Sequence, residues 1–181
     1  MKIKTRIRTL WEETKLRFRV IRETAAWLGG YRGETTPVGR LFIKVTNKDG
    51  TTDLGLVSTK VVTTAGVGFI VDAYQNAASI ETMNYHDAGT GVTAENVTDT
   101  AMETAYGGAR ATGTQGEGAS ANIYQSVGTV SFTSTLAITE HGLFSATTSG
   151  TLQDRSVFSA INVVNGDSIE FTYELTFPAG S

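Results

Sequence analysis

Two imidazoles and their acidic neighbours are the first places to look for chemistry in this chain. His86 is followed by Asp87, and His141 is preceded by Glu140. A histidine beside a carboxylate can act as an acid–base pair or contribute to a metal site. Neither histidine has a second one at i+4 or at another metal-ligand spacing. The expectation is two histidines in surface or turn positions, each with a local acidic neighbour. There is no cysteine, which excludes a disulfide framework and thiolate zinc sites. Nucleophilic catalysis would then fall to serine, threonine or a carboxylate, and no Gly-x-Ser-x-Gly elbow occurs. Gly89-Thr90-Gly91 is a fragment of a phosphate-loop pattern without the Gly-Lys-Thr or the third glycine that would complete it, so it reads as turn glycine. Asp99 and Glu103 would share one side of a helix, and they read as a solvated loop or helix face. The sequence therefore predicts no catalytic residue, no cofactor and no metal, and a protein that is not an enzyme.

The elements that would have to position such groups fall into two parts of opposite charge. Residues 1–33 carry nine basic and three acidic side chains, a net of +6, whereas residues 34–181 carry six basic and fifteen acidic ones, a net of −9. Such asymmetry points to two surfaces with different partners. With 181 residues, the chain is long enough for one ordinary domain and an appendage. Charged residues make up only 18%, so Thr, Ser, Asn and Gly take over the polar surface. Twenty glycines against two prolines suggest many turns rather than stiff linkers. No stretch has the length of a membrane-spanning helix, and Met1-Lys2-Ile3-Lys4 is not followed by the apolar block of a signal peptide. The expectation is a soluble protein made inside the cell.

Residues 1–33 read as a basic amphipathic helical arm. Ile3, Ile7, Trp11, Thr14, Phe18, Ile21, Ala25 and Leu28 recur at steps of four and three, and Gly29-Gly30 ends the pattern. An isolated helix of this length is marginal in water, so it wants a partner. Its own β-domain, the same helix of a neighbouring subunit, another protein and a membrane surface all compete. Glutamates on the polar face and the lack of a second anchor weigh against the membrane. Nucleic acid is electrostatically feasible, but no reading motif accompanies the charge. Ile7, Trp11, Phe18 and Ile21 are the expected apolar anchors, with Arg6, Arg8, Lys15, Arg17, Arg19 and Arg22 as the charged contacts.

Residues 31–37 form a joint, and from Val38 the pattern turns to β. Strands are predicted over 41–46, within 54–62, over 79–87 and 123–132, and at 136–139, 156–158 and 169–177, with turns at Asn47-Lys48-Asp49-Gly50 and Asn165-Gly166-Asp167. Residues 65–77 are a second helix candidate, with Thr64 as its cap and Val67, Ile70, Val71 and Tyr74 on its apolar face. Gly66 and Gly68 weaken that helix. The polar region from Gly89 to Ala121 is too long for an ordinary connection, so it is functional, disordered or divided by short strands, with 110–114 able to pair. The fold class is mainly β: an antiparallel β-sandwich, jelly-roll-like, or a barrel, with the N-terminal helical arm and one short internal helix. The domains are 1–33, the arm, and 34–181, the β-domain.

Three runs carry a resemblance to a known family. They are Val62-Thr63-Thr64-Ala65-Gly66-Val67 with Val71-Asp72-Ala73 and Gln75-Asn76; Tyr85-His86-Asp87-Ala88-Gly89-Thr90-Gly91 with Thr93-Ala94-Glu95 and Asp99-Thr100-Ala101; and Ala137 to Ser145, followed by Leu152 to Phe158 and Ile169 to Tyr173. Over roughly residues 60–178, they resemble a family of tailed-bacteriophage virion structural proteins encoded beside capsid genes. The Gly-Thr-Gly element and Ile-Thr-Glu-x-Gly-Leu-Phe also resemble parts of phage fibre and collar proteins. The resemblance implies a capsid decoration or cement protein that clasps neighbouring capsid subunits. Its expected partners are the major capsid protein or other virion proteins, and copies of itself, a trimer among the options. The expected location is the virion, on the capsid surface or head, after synthesis in the host cytoplasm. A fibre, collar or head-to-tail connecting component is the second expectation. A carbohydrate-binding surface domain is the alternative from another class.

Overall fold

The computed structural model describes residues 37–59, 61–75 and 82–177. The arm predicted over 1–33, with all ten of its anchor and contact residues, lies outside them. Ten strands and one helix follow one another as β1 (Val38–Asn47), β2 (Gly50–Ser58), β3 (Val61–Val62), α1 (Thr64–Tyr74), β4 (Tyr85–Gly89), β5 (Ala111–Thr112), β6 (Thr114–Glu117), β7 (Ile123–Ser131), β8 (Leu136–Phe144), β9 (Leu152–Val163) and β10 (Ser168–Thr176). They form two five-stranded antiparallel sheets packed as a sandwich, in the orders β2-β1-β10-β7-β6 and β3-β9-β8-β4-β5. Each sheet keeps two edge strands, so the barrel alternative is excluded. Among the described residues, no helix is long and apolar enough to cross a membrane.

The first sheet follows from simple alternation. In β10, Ile169, Phe171, Tyr173 and Leu175 are buried while the residues between them are half-exposed. Leu41 and Ile43 of β1 face the same core. On the outer face, Arg40 stands in register with Glu174 and Lys44 with Glu170. Both pairs close as ion pairs, at 2.9 and 3.1 Å. Opposite charges set directly across a ladder pin its register, because a slip of one residue would move these charges to the core face.

The second sheet is less regular. Register shifts between Ile138 and Glu140, where β8 meets β9. Ile138 belongs to the hydrophobic core, and His141, three residues on, lies against the Phe171 ring at 4.5 Å between centroids. Residues three apart in a regular strand face opposite sides, so the irregularity re-aims the chain. The predicted strand at 136–139 stops at this point because the alternation breaks there, whereas the observed strand runs on to Phe144.

Helix α1 is capped by Thr63, one residue before the expected Thr64: its Oγ1 accepts from the Gly66 amide at 3.0 Å. The same hydroxyl donates to the Leu152 carbonyl, which ties the helix start to β9. Gly66 is a close-approach residue, since a Cβ there would lie 2.8 Å from the Cα and side chain of Gln153. The sequence TAGVGFIVDAY holds a single charge, Asp72, and only Gly66 is fully buried. Val67, Val71 and Tyr74, at i, i+4 and i+7, remain exposed. A helix apolar on more than its core-facing side presents a surface that water covers poorly.

Candidate functional site

The second sheet is polar on both faces, and each face has its own solution. Toward the sandwich interior, His86 of β4 and His141 of β8 are fully buried. His86 Nδ1 lies 3.0 Å from His141 Nε2, and His86 Nε2 lies 2.8 Å from Ser126 Oγ on the opposite sheet. His141 Nδ1 has no hydrogen-bond partner among the described residues. A buried N–H without an acceptor is costlier than a bare lone pair, which assigns the protons. His141 Nε2–H donates to His86 Nδ1, and His86 Nε2–H donates to Ser126. Space for the rings comes from glycine: a Cβ on Gly128 would sit 2.4 Å from the His86 ring, and one on Gly113 would sit 2.8 Å from it. Burial pushes His86 down to about 3, and burial together with the neighbouring His86 holds His141 well below the ordinary imidazole value. The expectation of two surface or turn histidines is therefore corrected. They are core residues, and they pair with each other rather than with Asp87 and Glu140.

Beside them, Asp154 of β9 is buried, with Ser156 donating to its Oδ1 at 3.0 Å and Tyr173 to its Oδ2 at 3.4 Å. Burial raises its carboxyl to about 8, only partly opposed by these two donors. Gly39 lies across from it, where a Cβ would meet Oδ2 at 2.6 Å.

On the outer face of the same sheet, Glu140 and Arg155 organise the long polar region. Arg155 Nε donates to Glu140 Oε1 at 2.6 Å, Nη1 to Asp99 at 2.9 Å and Nη2 to the Thr93 carbonyl at 3.1 Å. Glu140 also accepts from the backbone amides of Gly91, Glu103 and Thr104 at 3.2, 2.7 and 3.2 Å. Glu103 in turn accepts from the Thr93 amide and hydroxyl at 2.7 and 2.8 Å and from the Val92 amide at 2.7 Å, and these bonds, with the nearby Arg155, lower its carboxyl against the effect of burial. Asp99 and Glu103 are thus anchors of an ordered loop rather than one face of a helix. Gly89 and Gly91 are not turn residues with positive φ. A Cβ on either would lie within 2.6 Å of Glu140 Oε2, so their role is close approach. At the far edge, Arg110 stacks 3.4 Å above the Phe144 ring, bonds Asp87 at 3.3 Å and donates to the carbonyls of Ala146 and Ser149. Burial raises the Asp87 carboxyl against the opposing pull of Arg110.

The region 89–121 is therefore divided by β5 and β6 and fastened to the sheet by two arginines. Among the described residues, no group of three or more His, Asp or Glu side chains could hold a metal ion.

One surface feature adds to these buried sites. An apolar cleft of about 300 Å³ opens between α1 and the ends of the two sheets, walled by Phe69, Ile70 and Tyr74 of the helix and by Tyr124, Leu175 and Phe177. Gln153, 2% exposed, also lines it, and its Nε2 has no partner among the described residues. Sequence reasoning missed Gln153, Asp154 and Arg155 because three polar residues in a row interrupt the apolar alternation. The signal that could have found them is their place inside a β run flanked by Leu152 and Val157. Comparison of the chain with protein-family models, curated proteins and solved structures gives no match.

Proposed function

We propose that this chain is a non-enzymatic structural protein of a tailed-phage virion, and within that class a capsid decoration protein that binds and stabilises neighbouring capsid subunits. The observation that carries the reading is that the groups best suited to chemistry are consumed by the fold. Both imidazoles close on each other and on Ser126 inside the core, and Arg155 is taken up by Glu140, Asp99 and a carbonyl. Such a sandwich suits a protein whose task is to persist by packing. The resemblance over residues 60–178 supplies the phage context, and two facing sheets with β1–β10 and β3–β9 as neighbours support the jelly-roll-like comparison. In this reading the segment 1–33 is the docking element, with Ile7, Trp11, Phe18 and Ile21 as anchors and its basic residues meeting an acidic shell or a neighbouring subunit. Many copies on a symmetric shell then sum weak contacts into tight retention.

The test is the copy number in purified particles relative to the major capsid protein. Decoration requires on the order of hundreds of copies, as shell symmetry dictates. A count of tens or fewer would move the chain to a collar, fibre or connecting position. A glycan array addresses the carbohydrate-binding alternative, for which specific retention of a sugar is required. Deleting residues 1–33 should abolish attachment or self-association, and normal decoration by the truncated chain would remove the docking role.

A further inference from the structure

The cleft beside α1 combines three properties that together describe an occupant. Its walls are apolar, its volume of about 300 Å³ suits one ring and its flanking alkyl groups, and it is open to solvent. Gln153 also lines it, 2% exposed, and its Nε2 has no hydrogen-bond partner among the described residues. Its surroundings are acidic: Asp72 lies in α1 between the lining residues Ile70 and Ala73, and exposed Glu117 stands in register with lining Tyr124. Neither acid has an ion-pair partner among the described residues. The matching chemistry is an aromatic ring flanked on both sides by cations.

The chain itself contains one such element. Phe18 stands between Arg17 and Arg19, whereas Trp11 is followed by Glu12 and Glu13. We propose that the cleft of one copy receives Phe18 of a second copy, with Arg17 and Arg19 meeting Asp72 and Glu117. This inference rests on reading residues 1–33 as a docking element, and it adds the receptor. It also gives the exposed stripe Val67, Val71 and Tyr74 a covering partner.

The experiment uses the full-length purified chain without particles, so its outcome is independent of virion copy number. A photoreactive benzoylphenylalanine replaces Tyr74, which is 86% exposed. Unlabelled and nitrogen-15-labelled copies are mixed before irradiation. The expected products join position 74 of one copy to residues 15–21 of another, and Phe18→Glu or the surface change Val71→Asp lowers their yield about tenfold or more. Cross-links confined to a single copy, cross-links to any other segment, no cross-links, or a yield untouched by Phe18→Glu would each overturn the proposal.

Discussion

His86 and His141 meet nitrogen to nitrogen, 3.0 Å apart, where neither can reach water. In the neutral pair each ring carries one N–H, and an added proton comes only at a high cost, because a cation there would have neither solvent nor a counter-ion. In the unfolded chain each imidazole takes up a proton as the pH falls through 6.5, whereas folded His86 stays neutral down to about 3 and folded His141 is also held low. The unfolded state then binds more protons, so stability present at neutral pH is lost as the pH falls from 6.5 towards 3. Urea midpoints measured between pH 4 and pH 6.5 should therefore rise with pH.

Asp154 acts in the opposite sense. Its folded carboxyl keeps a proton up to about 8, against 3.8 for the ordinary group, so its contribution is present below 3.8 and is lost as the pH climbs towards 8. Asp87 adds the same sign. Above pH 6.5 the histidines no longer contribute a slope, and stability should peak near there and decline to about pH 8. Asp154→Asn, which keeps the shape of the protonated acid, should flatten that decline and raise the midpoint at pH 9. A variant that still loses stability over this range would remove Asp154 as the cause.

Arg155 and Glu140 are 3% and 0% exposed and 2.6 Å apart. Arg155→Leu leaves Glu140 charged and buried with backbone donors alone, a change that costs about 3–5 kcal/mol. Hydrogen exchange should locate the damage, because the Gly91, Glu103 and Thr104 amides all end on Glu140. Accelerated exchange in those three amides with β10 unchanged is the expected pattern.

Two glycines should respond with opposite signs. A Cβ at Gly128 meets the His86 ring at 2.4 Å, so Gly128→Ala should destabilise by about 1–3 kcal/mol through overpacking. Gly68 in α1 has open space at that position, and Gly68→Ala should stabilise by up to about 1 kcal/mol through helix propensity. Thermal unfolding of the two variants side by side reads both effects.

Much of the first sheet was legible because β1, β7 and β10 alternate cleanly and end at turns marked by Gly50 and Gly166, both with positive φ. The second sheet was legible only in fragments. Periodicity reports a sheet with one wet face, whereas this one is covered on both, by the other sheet and by the loop that Glu140 and Arg155 hold. Its polar residues, from His86 to Arg155, therefore looked like surface. Their partners are 40 to 56 residues away in sequence for His86–Ser126, His86–His141 and Arg155–Asp99, and no local pattern encodes such distances. The short internal helix was readable from its threonine start and apolar spacing, but the reason for Gly66 was not, since it lies in the close approach of Gln153.

The covering of β8 and β9 by residues 90–110 separates fastening from display. Three amides, two close-approach glycines and the Arg155 contacts hold the loop, and none of these depends on the side chains that point away from the sheet. Val92, Thr98 and Thr100 sit on that outward side, where replacement disturbs no buried contact. The protein can thus change what it shows to its surroundings at this patch while the scaffold beneath keeps its shape.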